Sequence, residues 1–359
     1  MGLGSTIKEY GKLARSFNMA LTGMAPVFGA LSMGERDPFR LVALFILGCG
    51  AHLFGFVLND YIDARIDKHS DELSERPLVS GTITPNAALG FAIFGLALML
   101  SLGTLLVLPG LYPSILILLA AAGSSTLYNL ISKKAPGMDV FVSGAVGLLA
   151  LFGSATVSTD FTPLAYDIAF LAFMQVMFMN IVAGGLKDID HDYKAGGKNL
   201  AIALGCKVID NTKKKKKAHH ERRDNDLIIP VGFKALAHSI EIVFFICVLL
   251  PWLLSMASVL PSPFPFPSEF RSFSLQFLVI FLLGLAMMSV STRLMAQRSF
   301  VRPQMRKLIG LHYALNFSLV PVMLSVMAWW IFLFALIPPL GFLLANKALH
   351  GEAAAPKTM

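Results

Sequence analysis

Long apolar runs alternate with short polar segments along most of this 359-residue chain. A helix needs about 20 apolar residues to cross the hydrocarbon core of a bilayer, and most of the runs approach or reach that length. Continuous runs favour helices over a barrel, whose strands show only short alternating segments. The pattern predicts nine membrane spans, at residues 17–33, 40–58, 86–108, 112–131, 138–157, 165–186, 236–257, 273–292 and 309–328.

A further apolar stretch, 329–346, is interrupted by Pro338 and Pro339. It either extends the ninth span or forms a shorter tenth one, and the pattern leaves both open. We therefore predict an all-α, polytopic membrane protein with one membrane-embedded domain over 1–359. Residues 207–228 are predicted to form a basic cytoplasmic insertion loop, and 329–359 a C-terminal extension or tenth span.

The composition agrees with a membrane protein. Apolar residues make up 55% of the chain and charged residues only 14%, against about 25% charged in an ordinary soluble domain. This shortage of polar surface excludes a soluble enzyme, a disordered protein and a disulfide-rich secreted module. Cys49, Cys206 and Cys247 show no metal-binding spacing and are interpreted as ordinary thiols.

The net charge of +8 at first suggests a nucleic-acid partner, but the basic residues follow the predicted topology. With the N-terminus inside, 25 Lys and Arg fall on the inner side and three, Arg36, Arg40 and Arg271, on the outer side. Cytoplasmic loops of membrane proteins carry such an excess. We therefore expect a cytoplasmic N-terminus, a lipid bilayer as the surroundings and no nucleic-acid partner.

The acidic residues are concentrated in two of the predicted inner segments. Segments 59–84 and 187–235 hold 13 of the 22 Asp and Glu residues. On a helix, Asp60, Asp63 and Asp67 would lie within about 60° of one another. Carboxylates this close repel each other unless a cation lies between them. In the second segment Asp188 and Asp192 share a face, and Asp190 points away.

The two acidic clusters follow the second and sixth predicted spans, which run in the same direction, so they are expected to meet over one cavity. Carboxylate ligands without a nearby pair of His or Cys favour Mg²⁺ over zinc. Two such clusters facing each other would clamp a diphosphate through the metal. The alternative is that they are solvated loop acids. Candidate basic partners for the phosphate oxygens are Arg65, Arg76, Lys133, Lys187, Lys194 and Lys198.

At these residues the chain resembles the UbiA superfamily of intramembrane prenyltransferases. The N-D-x-x-D-x-x-x-D motif of that family is complete at 59–67, and its D-x-x-x-D motif is present at 188–192. A K-x-G-x-K-S-like run follows at 194–199, with Asn199 where Ser is usual. Segment 76–81 is similar to the family's R-P-L/I-x-S/A-G segment. Arg15, Asn18, Tyr128 and Lys133 add to the resemblance, which spans roughly 15–325.

The resemblance implies nine helices around a central cavity with a cytoplasmic cap. It also implies Mg²⁺-dependent transfer of a prenyl group from a polyprenyl diphosphate to a lipophilic or aromatic acceptor. All five aspartates of the two motifs would be catalytic: Asp60, Asp63 and Asp67 would hold one Mg²⁺, and Asp188 and Asp192 a second. Substrate would be bound by Asn59, Arg65, Arg76, Lys133, Lys187, Lys194 and Lys198.

The acceptor and the reaction type remain open at this point. A quinone precursor and an archaeal-type ether lipid are both candidate acceptors. Family members that act on 4-hydroxybenzoate often carry an additional Asp and Tyr upstream of the second motif, whereas this chain has Gly184 four residues before Asp188. A membrane terpene cyclase would use the same ionisation without an acceptor. A transporter would need acids at mid-span. The basic loop around Lys213–Lys217 is either solvated or a clamp for anionic groups.

Overall fold

A computed structural model of the chain shows a helical bundle. It describes residues 2–67, 74–107, 113–132, 134–194, 196–209, 225–256, 267–271 and 274–351. Every predicted span coincides with a helix, so the prediction of an all-α polytopic protein is confirmed. In the first half the helices are α1 Leu3–Leu13, α2 Ser16–Ser32, α3 Pro38–Asp67, α4 Pro85–Val107, α5 Pro113–Ile131, α6 Asp139–Ala155 and α7 Pro163–Met177.

The second half begins with an irregular region. A π-helical segment, Phe178–Gly184, continues α7 and leads into short helices before the bundle resumes. The helices are α8 Gly185–Lys187, α9 Ile189–Lys194, α10 Leu200–Ala203, α11 Val231–Met256, α12 Leu275–Met295, α13 Arg302–Leu324 and α14 Ile337–His350. Two 3₁₀ helices, Ser268–Arg271 and Trp329–Leu336, precede α12 and α14.

The bundle has the dimensions of an integral, multi-pass membrane protein. Within the described ranges, eight helices are long and apolar enough to cross a bilayer, and Asp139–Ala155 is a shorter apolar helix. The stretch Trp329–His350 is one of the eight. Large apolar side chains such as Leu105, Leu116 and Leu344 are exposed on the outer surface. This is the expected arrangement where lipid replaces water around the helices.

A small antiparallel sheet joins three segments from the second half of the chain. Its strands are β1 Lys207–Ile209, β2 Asn225–Ile228 and β3 Ser299–Phe300, in the order β1-β2-β3. Val208 pairs with Leu227, and Asp226 pairs with both Ile209 and Ser299. The two ends of the predicted 207–228 loop are therefore strands, which link the second acidic segment to the start of α13. Residues 210–224, with Lys213–Lys217, lie outside the described part of the chain.

Glycines let α2 and α6 pack with their backbones in contact. A Cβ atom on Gly29 would overlap the Ala150 carbonyl, and one on Gly153 would overlap the Pro26 carbonyl. The Ser154 hydroxyl also donates to the Gly29 carbonyl oxygen at 2.9 Å. Small residues at such positions bring transmembrane helices close together. The contact fixes α2, which carries Arg15 at its start, within the bundle.

Candidate active site

The first acidic motif lies on the last turns of α3. This helix continues beyond the predicted end at 58 as far as Asp67, since its last glycine is Gly55 and its only proline is at its start. Asp60 and Asp63 are 5% and 7% exposed. Two nearly buried carboxylates at the end of a membrane helix require cationic partners, because an unpaired buried charge is strongly unfavourable.

Arg15 supplies a partner from another helix. Its guanidinium donates to Asp60 Oδ1 at 2.6 Å and lies 5.4 Å from the centre of the Phe56 ring. Arg76 approaches the same oxygen at 3.8 Å. Arg15 adopts a φ of 46°, in the left-handed region that side chains other than glycine rarely adopt. The sequence identified Arg15 only through the family resemblance, although a basic residue at the start of the first span was a visible signal.

The second acidic motif follows the π-helical segment. The predicted single helical face is interrupted here, because α8 ends at Lys187 and Asp188 takes a non-helical φ of −105° and ψ of 8°. Asp192 still donates its backbone N–H to the Asp188 carbonyl at 3.0 Å, which keeps the two residues one turn apart. Lys187 Nζ lies 3.2 Å from Asp188 Oδ2.

Asn199 connects the second motif to α10. Its side-chain amide donates to Asp192 Oδ2 at 2.6 Å, and its side-chain oxygen accepts from the Ile202 backbone N–H at 2.9 Å. The second bond is an N-cap, which satisfies one of the free donors at the start of a helix. Asn199 therefore both begins α10 and orients a carboxylate of the second motif.

Asp190 is bound on the far side of the second motif. Arg302, at the start of α13, donates to both of its carboxylate oxygens, at 2.7 and 2.9 Å. Both bonds come from the same guanidinium nitrogen, Nη2, and charge-assisted hydrogen bonds of this kind are stronger than neutral ones. Asp190 is thereby fixed against α13, while Asp188 and Asp192 line the pocket described next.

Residues of both motifs line one polar pocket. Among the predicted site residues, the structure brings Asn59, Asp63, Arg76, Lys187, Asp188, Asp192 and Lys198 to its wall. Residues outside that prediction also line it: Arg15, Asn18, Tyr128, Asp139, Asn180, Arg302, Arg306 and Tyr313. Lys133 and the side chains of Arg65, Asp67 and Lys194 lie outside the described residues. The predicted meeting of the two motifs over one cavity is thus present in the structure.

The polar pocket adjoins an apolar chamber inside the bundle. The two cavities share Arg15, Asn18, Phe56, Asn59, Tyr128, Met179 and Asn180. Beyond this junction the chamber is lined mainly by apolar side chains such as Met24, Phe28, Met99 and Leu149. Its empty volume is about 1370 Å³, including the part that is open to the surroundings. The arrangement suits a molecule with an anionic head and a long apolar tail.

The donor set fits a hard cation that is shared with phosphate. No three His, Cys, Asp or Glu side chains among the described residues converge on a single ion position. The acids that line the pocket, Asp63, Asp139, Asp188 and Asp192, offer only oxygen, and the amides of Asn59 and Asn180 also line it. Mg²⁺ is typically bound in this way, by a few carboxylates together with substrate phosphates and water.

The chain matches proteins of known activity over much of its length. It is 32% identical over 210 residues to the protoheme IX farnesyltransferase of Aquifex aeolicus, covering 56% of this chain and 69% of that protein. It is 30% identical over 203 residues to the digeranylgeranylglyceryl phosphate synthase of Methanopyrus kandleri, covering 55% and 70%. The Arabidopsis thaliana mitochondrial 4-hydroxybenzoate polyprenyltransferase is 30% identical over 228 residues, covering 59% of this chain and 52% of that one.

Solved structures share the fold. A UbiA homologue from Archaeoglobus fulgidus bound to DMAPP and Mg²⁺ superposes with a TM-score of 0.56 at 18% identity, over 87% of this chain and 99% of that one. A homologue from Aeropyrum pernix K1 gives a TM-score of 0.60 at 14% identity, over 86% and 96%. The profile of the UbiA prenyltransferase family matches residues 20–211, just over half of the chain. The fold, the two acidic motifs and these matches together show that the chain belongs to the UbiA prenyltransferase family.

Proposed function

We propose that this protein transfers a prenyl group from a polyprenyl diphosphate to a lipophilic acceptor within the membrane, and that the reaction depends on Mg²⁺. The observation that carries the proposal is that the polar pocket, lined by both acidic motifs, adjoins the apolar chamber and shares seven wall residues with it. The pocket fits the diphosphate, and the chamber fits the isoprenoid chain. The junction between them is then the place where the bond to the leaving group breaks.

Acids of the two motifs and cationic side chains of the pocket would hold the diphosphate together. Asp60, Asp63 and Asp67 would hold one Mg²⁺, and Asp188 and Asp192 a second. When bound, the metal offsets the negative charge that develops on the departing diphosphate. Cationic side chains complete this stabilisation with hydrogen bonds to phosphate oxygens, and preorganised donors of this kind supply much of the rate enhancement in enzymes. The described candidates are Arg76, Lys187 and Lys198, together with Arg15.

The chamber keeps water away from the reacting carbon. Loss of diphosphate leaves an allylic cation, which water would capture. Apolar walls and the ring of Phe56 at the junction exclude water and leave the acceptor as the available nucleophile. Tyr128 also lies at this junction and lines both cavities.

The named relatives support this chemistry and include acceptors of more than one chemical class. Their names describe transfer to protoheme, to 4-hydroxybenzoate and to a glycerol phosphate lipid. The Archaeoglobus homologue was solved with DMAPP and Mg²⁺. We propose an aromatic quinone precursor or an archaeal-type ether lipid as the acceptor class, since the names of these relatives include both kinds.

The test is transfer of radiolabelled geranyl diphosphate in membranes that contain the protein, with a panel of aromatic and glycerol-phosphate acceptors. We expect a lipophilic product that requires Mg²⁺, disappears with EDTA and returns when Mg²⁺ is restored. Membranes with Asp63→Asn serve as the matched control. Product formation that survives EDTA would contradict the metal dependence. Formation of a cyclic product and free diphosphate in the absence of any acceptor would instead identify the protein as a terpene cyclase.

A further inference from the structure

An ionisable pair lies buried among the membrane helices, away from the two acidic motifs. Glu241 on α11 and His312 on α13 are each 1% exposed, and His312 Nε2 lies 2.7 Å from Glu241 Oε1. The other carboxylate oxygen lies 3.5 Å from His238 Nδ1. Among the described residues that line the polar pocket and the apolar chamber, neither member of the pair appears. Ionisable groups inside a membrane are costly, and those that persist usually have a function.

The pair contacts the π-helical segment. The His312 ring stacks on the Phe178 ring, with centroids 4.0 Å apart and planes inclined by 17°. Phe178 is the first residue of that segment and is 2% exposed. The hydrogen bond to Glu241 orients the imidazole, so the carboxylate on α11 controls a ring contact with the segment between α7 and α8.

Other side chains fasten this segment, and the end of α7 before it, to α13. The Tyr313 hydroxyl donates to the Met179 carbonyl at 3.5 Å, and Gln175 donates to the Asn316 carbonyl at 3.2 Å. At the start of α13, Arg302 binds Asp190. Helix α13 therefore holds the chain on both sides of Asp188. A π turn is rare and occurs mostly at functional sites, so these contacts preserve a local geometry that a plain α-helix would not have.

We propose that Glu241 and His312 are positioning residues for the polar pocket. Through Phe178 they hold the π-helical segment in the register that presents Asp188 and Asp192 to the metal and the diphosphate. They touch neither substrate nor metal. The expected effect on ligand binding rests on the proposed function. The positioning of the π-helical segment does not depend on it and can be tested without turnover.

The first test measures local structure and ligand binding in the purified full-length protein. His312→Leu keeps an apolar volume and removes both the ring stack and the hydrogen bond. We expect faster amide hydrogen exchange across 178–194 and at least tenfold weaker binding of geranyl thiolodiphosphate with Mg²⁺, a slowly reacting substrate analogue. In turnover, the KM for geranyl diphosphate and the half-saturating Mg²⁺ concentration should rise more than kcat falls.

Asp167→Asn is the matched control. Asp167 is a buried acid on α7, and its carboxylate oxygens have no hydrogen-bond partner in the described part of the chain. We expect its exchange across 178–194 and its analogue binding to equal those of the wild type. If Asp167→Asn and His312→Leu changed exchange and analogue binding equally, the Glu241–His312 pair would contribute only general packing, and the proposal would be overturned.

The second test uses a conservative replacement of Glu241 and a double variant of Glu241 and His312. Glu241→Gln keeps an oxygen that accepts from His312 Nε2–H, so it should bind the analogue nearly as the wild type does, whereas Glu241→Leu should resemble His312→Leu. The double variant Glu241→Leu/His312→Leu should be no worse than either single one, because both break the same contact. Additive losses, or a lower melting temperature with unchanged exchange and binding, would overturn the proposal.

The outcomes separate this inference from the proposed function. If the wild type does not bind the thiolodiphosphate with Mg²⁺, the proposed function fails, and the exchange measurement alone decides the positioning role. If the wild type binds and His312→Leu binds equally well with unchanged exchange, the positioning role fails and the proposed function stands.

Discussion

Asp63 and Asp160 carry the same side chain at opposite ends of the molecule. Asp63 is 7% exposed in the polar pocket, and Asp160 is exposed in the loop between α6 and α7. Replacing Asp63 with Asn removes a charge that the pocket needs for a cation. We expect kcat/KM for geranyl diphosphate to fall at least 100-fold, about 2.7 kcal/mol of transition-state stabilisation.

The control is Asp160→Asn, which makes the same chemical change where no ligand is proposed. It should leave kcat/KM and the Mg²⁺ dependence within twofold of the wild type. A fully active Asp63→Asn protein would contradict the assignment of the first motif to metal binding.

Asn199 joins a helix cap to a site carboxylate, so its two roles can be separated by substitution. Asn199→Ala loses the N-cap and the bond to Asp192, and should cost about 1 kcal/mol of stability together with a higher KM for the diphosphate substrate. Asn199→Ser keeps a capping hydroxyl and should recover most of the stability. Thermal unfolding in detergent and steady-state kinetics provide the two readouts.

Thr162→Ala removes a comparable cap from α7, where the Thr162 hydroxyl accepts from Ala165 N–H at 3.2 Å. It should lower the melting temperature by a similar amount without raising KM. An equal rise in KM from Thr162→Ala would show that Asn199 acts on stability alone.

Residue spacing revealed the acidic faces but not the partners of the acids. Asp60 and Asp63 share a helix, so their proximity follows from 3.6 residues per turn. Arg15 lies 45 residues before Asp60, and Arg302 lies 112 residues after Asp190, each on a different helix. Such pairs depend on how helices pack, which spacing along one helix does not record. Resemblance singled out Arg15, and no feature of the sequence singled out Arg302.

At the scale of elements, the contact between α2 and α6 limits what substitution the fold tolerates. A methyl group on Gly153 would meet the Pro26 carbonyl, and backbone has little room to yield. We expect Gly153→Ala to destabilise the bundle by about 1–3 kcal/mol, seen as a lower melting temperature in detergent.

Gly90→Ala makes the same change on α4, where an added Cβ would have no atom within 4 Å. It should be neutral or stabilise by up to about 1 kcal/mol, since Ala favours a helix more than Gly. A stable Gly153→Ala protein would mean that α2 and α6 separate at little cost.

The hydrophobic pattern predicted the long helices well because each needs a run of about 20 apolar residues. It did not show the π-helical segment, since a widened turn does not interrupt the largely apolar run at 165–186. It also missed the three-stranded sheet. Strands of three, four and two residues are too short for a recognisable alternation, and their pairing joins residues far apart in sequence.

At the scale of the whole molecule, the asymmetry of basic residues predicts the orientation. The end with the acidic motifs should face the cytoplasm, because Lys and Arg concentrate in its loops. Single cysteines introduced as Glu75→Cys and Asp160→Cys test this, since both positions are exposed and lie at opposite ends. In right-side-out vesicles a membrane-impermeant maleimide should label Asp160→Cys directly and Glu75→Cys only after permeabilisation.

The wild-type protein gives the level of labelling that arises without an introduced cysteine. Cys206 is buried, and burial raises its pKa to about 12, so little reactive thiolate forms at neutral pH. If Glu75→Cys were labelled in sealed vesicles and Asp160→Cys were not, the orientation would be the opposite of the one predicted.

The junction of the polar pocket and the apolar chamber bears on how the rate depends on the amount of substrate. An amphiphile that spans this junction partitions into the surrounding lipid before it reaches the protein, since each buried CH₂ favours the apolar phase by about 0.8 kcal/mol. The relevant variable is then the mole fraction of prenyl donor in the bilayer. Adding inert lipid at constant total donor should slow the reaction by surface dilution, so kinetic constants for this protein are meaningful only per unit of membrane.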